Sequence, residues 1–144
     1  MDFFTAMTVS SSALTAERTR INLISSNLAN ANSTRTAEGG PYKRKDAVFM
    51  ATKMTEPFAA SLSKAGRGLE KVDITNIISD PNPPRIQYEP THPDANEQGF
   101  VSLPNVNFIE EMADMISATR TYEANVTAAQ AAKSMAMKTL ELGR

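Results

Sequence analysis

The fold is decided by residues 2–32, DFFTAMTVSSSALTAERTRINLISSNLANAN, which contain neither glycine nor proline. One apolar position recurs every seven residues, at Met7, Leu14, Ile21 and Leu28. Because residues seven apart lie on one stripe of a helix, this repeat predicts a long amphipathic helix. The alternate heptad position is mixed, with Phe3, Ser10, Glu17, Ile24 and Ala31. The predicted apolar stripe is therefore narrow, and it is weakest in the first half of the helix.

A second segment without glycine or proline spans residues 107–142. Its stripe follows alternating spacings of four and three residues, at Phe108, Met112, Met115, Thr119, Tyr122, Val126 and Ala129. Asn107, with Glu110 three residues later, matches the capping box that begins many helices. This segment predicts a second long helix at the other end of the chain.

The chain between the two helices has a different composition. Seven of the eight prolines lie between Pro57 and Pro104. Alternating or β-branched residues predict short strands at residues 42–55, 69–77, 86–89 and 100–103. Residues 57–62 fit no element clearly. The fold class predicted is mainly α, with a small β-containing insert.

Three parts follow from this pattern: an N-terminal helix in residues 1–33, an irregular and partly β insert in residues 34–104, and a C-terminal helix in residues 105–144. The insert returns the chain, so we expect the helices to pair as an antiparallel coiled coil. Two helices bury only one seam, and we expect further subunits to cover their outer faces. The heptad residues of both helices are the predicted seam and subunit interface, together with Ile24, Asn27, Asn30 and Ala31.

Composition excludes several function classes. The net charge of -1 gives no general attraction to nucleic acid. The absence of cysteine and the single His92 exclude thiolate catalysis and metal sites built from cysteines or several histidines. No stretch approaches about 18 consecutive apolar residues, and no cleavable signal peptide is recognisable. We therefore expect no cofactor, no metal, no catalytic residue and no stable membrane insertion.

Two polar segments each allow a functional and a purely structural interpretation. His92-Pro93-Asp94 is the tripeptide of J-domain cochaperones, but the surrounding prolines favour a turn, in which Asp94 bonds its own backbone. Lys43-Arg44-Lys45 is either a solvated strand end or a contact with another subunit. Neither segment predicts catalysis, because no nucleophile or oxyanion-binding group accompanies it.

Several motifs resemble those of the flagellar rod and hook proteins. The first helix ends in Ser26-Asn27-Leu28-Ala29-Asn30-Ala31-Asn32, which is similar to the N-terminal signature of that family. The start of the second helix resembles the C-terminal signature of the family, at Pro104-Asn105-Val106-Asn107, at Glu111-Met112 and from Arg120 to Val126. The residues that carry the resemblance are Asn32, Pro41, Tyr42, His92, Pro93, Asp94, Pro104, Asn105, Asn107, Glu111, Arg120 and Glu123.

The resemblance implies a structural subunit rather than an enzyme. Such subunits build the flagellar proximal rod, a drive shaft in which terminal helices form a tube around the export channel. The implied partners are copies of the chain itself, neighbouring rod subunits, the adaptor between rod and membrane ring, and the flagellar type III export apparatus. The implied location is the basal body in the periplasmic space, reached without cleavage of a signal peptide.

Other functions remain open on the sequence alone. The principal alternative is a soluble two-helix adaptor that binds partner helices without forming a filament. Another axial protein, such as an injectisome inner-rod relative, shares the helix signature but not the segment around His92. A peripheral membrane protein is disfavoured because the first helix has few basic residues on its polar face.

Overall fold

A computed structural model describes residues 3–53 and 70–142 of the chain, the side chain of Phe3 excepted. The elements, in chain order, are α1 (Phe3–Ala29), β1 (Lys45–Lys53), β2 (Glu70–Ser79), β3 (Arg85–Tyr88), β4 (Phe100–Leu103) and α2 (Phe108–Leu142). Two long helices with small antiparallel sheets between them confirm the coarse fold class. The predicted strand at residues 100–103 matches β4 at both ends.

The two helices begin and end close to the predicted residues. α1 ends at Ala29, three residues earlier than predicted, because the chain continues in turns. There the Asn30 side chain donates to the Ser26 carbonyl at 2.9 Å and accepts from Ser33 at 3.1 Å. α2 starts after Asn107, whose side chain accepts from the Ile109 backbone at 3.2 Å. Asn107 is therefore the N-cap, and its side chain accepts a hydrogen bond from the backbone amide of Ile109 rather than from that of Glu110.

α1 and α2 pack against each other and run in opposite directions. The Asn27 side chain, near the end of α1, donates to Glu111 in the first turn of α2 at 3.1 Å. The end of one helix thus lies beside the start of the other. Among the described elements, α1 is the one that packs on α2, whereas α1 also contacts β1 and β2.

β1 and β2 form an antiparallel ribbon that lies along α1. The backbone of Lys45, at the start of β1, is held by Asn27 near the end of α1. Farther along the ribbon, the Val72 amide of β2 donates to Ser12 of α1 at 3.3 Å. The pairing register shifts after Val48, and Thr75 is the extra residue of this bulge. The ribbon therefore covers one side of α1.

β3 and β4 form a second antiparallel pair, separate from the first. The rings of Tyr88 and Phe100 pack edge to face, with their centroids 5.3 Å apart. Val101 of β4 and Pro104, which follows it, are almost completely buried. This hairpin brings the chain from the ribbon to the start of α2.

The side chains covered on α2 coincide only in part with the predicted stripe. Glu111, Ala118 and Ala132 are buried, and the half-buried residues are Asp114, Met115, Tyr122, Asn125, Val126, Ala129 and Ala136. Four of the predicted residues, Met115, Tyr122, Val126 and Ala129, are thus half-buried. The other three, Phe108, Met112 and Thr119, are exposed. Since a helix turns about 100° per residue, the buried stripe is centred about 50° away from the predicted stripe.

Three further expectations concern residues 57–62, membrane insertion and the packing of the helices. Residues 57–62 lie outside the described part of the chain. Neither described helix is long and apolar enough to span a membrane. The division into three parts and the detailed coiled-coil packing of the helices stay predictions.

Candidate functional site: a buried polar cluster

Asn27 is the centre of a polar cluster that joins α1, β1 and α2. Its side chain is 1% exposed and makes four hydrogen bonds. Its amide donates to the Lys45 carbonyl at 2.9 Å and to Glu111 at 3.1 Å. Its oxygen accepts from the Lys45 amide at 2.9 Å and from the Tyr42 hydroxyl at 3.0 Å. All the hydrogen-bonding capacity of the side chain is therefore used.

Glu111 is buried to the same degree, with 1% exposure. An ionised carboxylate is rarely buried unless it is paired. Here Arg44 donates from Nε to one carboxylate oxygen, and Asn27 donates to the other. The two hydrogen bonds of Glu111 join three parts of the fold, because Asn27 belongs to α1, Arg44 precedes β1 and Glu111 belongs to α2. A charge that is costly to bury is thus compensated only when the ribbon and both helices are in place.

Arg44 is less buried than its partner and contacts further carboxylates. Its guanidinium lies 3.3 Å from Asp46 and 3.9 Å from Asp114. Burial alone would lower the pKa of Arg44, but the hydrogen bond and charge of Glu111, helped by Asp46, raise it above its ordinary value. The residue is therefore charged throughout the physiological pH range. Lys43 and Lys45 are exposed on either side of it.

A second set of hydrogen bonds ties the loop after α1 to the loop between β3 and β4. Thr34 donates to the Asp94 carboxylate at 2.7 Å. The Asp94 amide donates to Nδ1 of His92 at 3.1 Å, which closes the predicted turn. Asp94 therefore bonds Thr34, 60 residues away in sequence, and not its own backbone as expected. Asn105 reaches Asp80 at 3.5 Å, which links the hairpin to the end of the ribbon.

The structure brings many of the motif residues together and leaves others apart. Asn27, Tyr42 and Glu111 share the cluster, and Pro104 and Asn107 lie just before α2. Asn32, Pro93, Arg120 and Glu123 are exposed. Pro41 is half-buried beside Tyr42. The cluster is thus the point at which segments distant in sequence meet.

Within the single chain, most of the predicted interface residues are buried or half-buried and the others are exposed. Ile24 and Asn27 are buried, and those that are half-buried are Leu14, Ile21, Leu28, Asn30, Ala31, Met115, Tyr122, Val126 and Ala129. Met7 is 37% exposed, Met112 is 45% exposed and Phe108 is 53% exposed. These three and the exposed Thr119 therefore contribute little to the contact between α1 and α2. Their role at a subunit interface stays a prediction.

The sequence left Arg44 as either a solvated strand end or a contact with another subunit, and it did not predict the pairing with Glu111 inside the chain. The sequence does not distinguish Arg44 from its neighbours, because it stands between two lysines, and both of these are exposed. Glu111 was noted as a motif residue, but glutamate is rarely fully buried, so the pattern did not predict its position. The cluster contains no nucleophile with an adjacent base. In residues 3–53 and 70–142, no group of three or more histidine or acidic side chains is arranged to hold a metal ion.

Two family models match the chain at its two ends. Residues 7–35 match the model described as flagella basal body rod protein. Residues 97–142 match the C-terminal model of flagellar basal body rod FlgEFG proteins. These segments include α1 from Met7 onward with its turn, the β4 strand and all of α2.

Curated relatives match nearly the whole chain. The flagellar basal-body rod protein FlgC of Bacillus subtilis strain 168 is 45% identical, over 100% of both chains. The chain belongs to the FlgC family of flagellar basal-body rod proteins. The FlgC of Borreliella burgdorferi is 42% identical over 94% of this chain and 93% of its own. The FlgC of Escherichia coli O6:H1 is 38% identical over 94% of each chain. The resemblance carried by the helix-end asparagines and by the segment around His92 is therefore confirmed.

Proposed function

We infer that the chain is a structural subunit of the flagellar basal-body rod and not an enzyme. The observation that carries this function is the 45% identity to a curated rod protein over the full length of both chains. The chain assembles with other components of the rod and acts in motility. A soluble adaptor loses its support, because the relatives that share both helices and the insert are named as rod proteins.

The finer role proposed is that of a drive-shaft subunit in the proximal rod. Copies of the chain and neighbouring rod subunits would assemble through heterologous contacts, in which one face meets a different face of the next subunit and a helical tube grows. The terminal helices would pair as coiled coils around the export channel, and torque would be spread over many helices. The predicted interface residues left open in the single chain, such as Met112 and Thr119, support this role.

Two further partners belong to the same proposal. The adaptor between the rod and the membrane ring would contact the assembled subunits, and the flagellar type III apparatus would export the chain. The exposed apolar side chains of α2 support a contact with such a partner, because a partner would remove them from water. Low helix propensity in the serine- and threonine-rich start of α1 supports export in an unfolded state.

Replacement of Leu28 by aspartate tests the function at the helix pair. Leu28 is half-buried and directly follows the fully buried Asn27. A carboxylate there would be desolvated without a partner, so we expect loss of rod assembly and of swimming, with export retained. The measurements are swimming in soft agar, immunoblots of exported protein and isolation of basal bodies, in cells that lack the native copy.

Asn82→Asp is the matched control, because Asn82 lies outside both helices, in the loop between β2 and β3, and is exposed. This variant adds the same charge at a solvated position and should swim normally. Normal swimming of the Leu28→Asp variant would contradict the role of this helix pair in the rod.

A further inference from the structure

The apolar surface of α2 continues past its contact with α1. Ile109 is 79% exposed and Ile116 is 53% exposed, in addition to Phe108 and Met112. On a helix, Met112, Ile116 and Thr119 directly follow the buried or half-buried Glu111, Met115 and Ala118. Each is therefore turned by about 100° from the contact with α1. The exposed residues form one flank of α2 rather than scattered positions.

α1 has a flank of the same kind. Glu17 follows the buried Ala16, and Leu28 follows the buried Asn27. Leu14 and Ile21 lie on this flank as well, three residues before and four residues after Glu17. All four are half-buried, so the flank is only partly covered.

The two flanks lie on the same side of the helix pair. Both helices are right-handed and they run in opposite directions, so the residue that follows a contact position turns toward the same side in each. The β1–β2 ribbon occupies the other side, since Ser12 bonds Val72 of β2 and Leu14 lies about 200° from Ser12 around the helix. The flanks therefore form an open groove between α1 and α2, named here the apolar groove.

One carboxylate on the apolar groove lacks a hydrogen-bond donor. The Oε2 atom of Glu17 is buried and has no hydrogen-bond partner among the described residues. A buried oxygen of this kind is costly unless a donor or a cation reaches it. Leu14 and Ile21, its neighbours on the helix, offer no donor. The groove thus combines apolar side chains with one buried carboxylate oxygen that has no donor.

The outer face of α1 has the complementary composition. Ser11, Thr15, Arg18, Asn22 and Ser25 follow spacings of four and three along this face, and all are exposed. Four of them are small and uncharged, and Arg18 is the one charge among the five. Arg18 makes no ion pair with another described residue within 4.0 Å. Small side chains allow a helix to approach closely, and an arginine can reach a carboxylate from such a face.

One hydroxyl of this face is already prepared for burial. Thr15 donates from Oγ1 to the carbonyl of Ser11 at 3.0 Å within its own helix. Its donor is therefore satisfied before any contact with another subunit, so its burial adds no unpaired donor. Burial of this hydroxyl therefore costs little.

We propose that the apolar groove of one copy receives the outer face of α1 from a second copy, with Arg18 of the second copy paired to Glu17 of the first. The contact is heterologous, so each copy offers its groove to one neighbour and its outer face to another. It rests on the proposed function because it forms only when subunits assemble. It adds to that function a defined surface, an orientation of neighbouring copies and a charge pair.

Chemical cross-linking in isolated basal bodies tests this contact. The chain has no cysteine, so single cysteines can be introduced without background. Cells that express the Glu17→Cys and Arg18→Cys variants together are treated with a short bismaleimide. We expect a covalent dimer that contains one chain of each variant. Neither variant alone should give this dimer, because the contact joins position 17 of one copy to position 18 of the next.

A matched mixture of Glu17→Cys with Glu97→Cys controls for random collision, because Glu97 is exposed in the loop between β3 and β4. Basal bodies that contain both variants but show no mixed dimer above this control would overturn the inference and leave the rod function intact. A cross-link from position 17 to a different rod protein would also overturn it. Absence of the wild-type chain from the basal bodies would overturn the rod function itself.

Charge exchange gives an independent measurement. Arg18→Glu places two carboxylates at each contact, and we expect at least about a tenfold loss of incorporated chain, which corresponds to about 1.4 kcal/mol. The double variant Glu17→Arg with Arg18→Glu restores opposite charges and should recover incorporation. Equal defects in the single and double variants would contradict the pair.

Discussion

Glu111 and Arg44 illustrate how one residue pair can depend on the whole fold. The carboxylate of Glu111 is almost completely buried, and its partners come from the segment before β1 and from α1. Attraction alone is weak evidence for stability, because desolvation of two charges is costly. The consequence of losing one partner is clearer, since the remaining carboxylate stays buried with a single amide donor.

Replacement of Arg44 by methionine should destabilise the chain by about 2 to 3 kcal/mol, near the lower limit for a broken buried pair, because Arg44 retains some exposure. Asp46→Asn removes a second carboxylate, 3.3 Å from the same guanidinium but 55% exposed, and should cost less than about 0.5 kcal/mol. Urea unfolding followed by circular dichroism measures both. Equal losses would show that Glu111 is not the partner that matters.

At the level of elements, the β3–β4 hairpin depends on a glycine at its turn. Gly99 has φ of +80° and is buried beside Tyr88 and Pro90. A Cβ atom there would lie 2.9 Å from the Tyr88 ring and 3.2 Å from Cβ of Pro90. The hairpin sets the position of Asp94 relative to Thr34, so strain at Gly99 would reach the contact between the two loops.

Gly99→Ala should therefore lower the free energy of unfolding by about 1 to 3 kcal/mol more than Gly39→Ala does. Gly39 is the matched control, because its φ is +88° and a methyl group added there would have no heavy atom within 4 Å beyond its chain neighbours. Both variants have the same kind of backbone strain, and only Gly99 adds a clash. Thermal unfolding compares them, and equal effects would contradict close packing at the hairpin.

At the scale of the whole molecule, the elements were predictable from the sequence and the faces they use were not. Heptad spacing and the absence of glycine and proline located both helices, and β-branched runs located the strands. On α2 the apolar residues cover a wider arc of the helix than the contact with α1 occupies. The centre of this arc lies between the stripe that meets α1 and the flank that stays exposed. Small residues such as Ala118 and Ala132 mark the contact, but alanine is too common in helices to be distinctive.

The buried cluster shows the same limit for polar residues. Asn27 was placed in the predicted seam and subunit interface, and within the single chain its side chain bonds Glu111 of the other helix. The pairing of Arg44 with Glu111 joins residues 67 positions apart, and no local pattern encodes such a contact. Sequence therefore indicated which segments matter, whereas the geometry of the complete fold was needed to show how they meet.

The central claim is that this chain is a rod subunit whose two long helices pack in the wall of the rod. Cryo-electron microscopy of basal bodies isolated from cells that express the chain tests it most directly. The account predicts repeated antiparallel pairs of helical density in the wall of the rod. The two helices of each pair should be about 40 and 52 Å long, as expected for 27 and 35 residues. A complete rod with no density for such pairs attributable to this chain would contradict it.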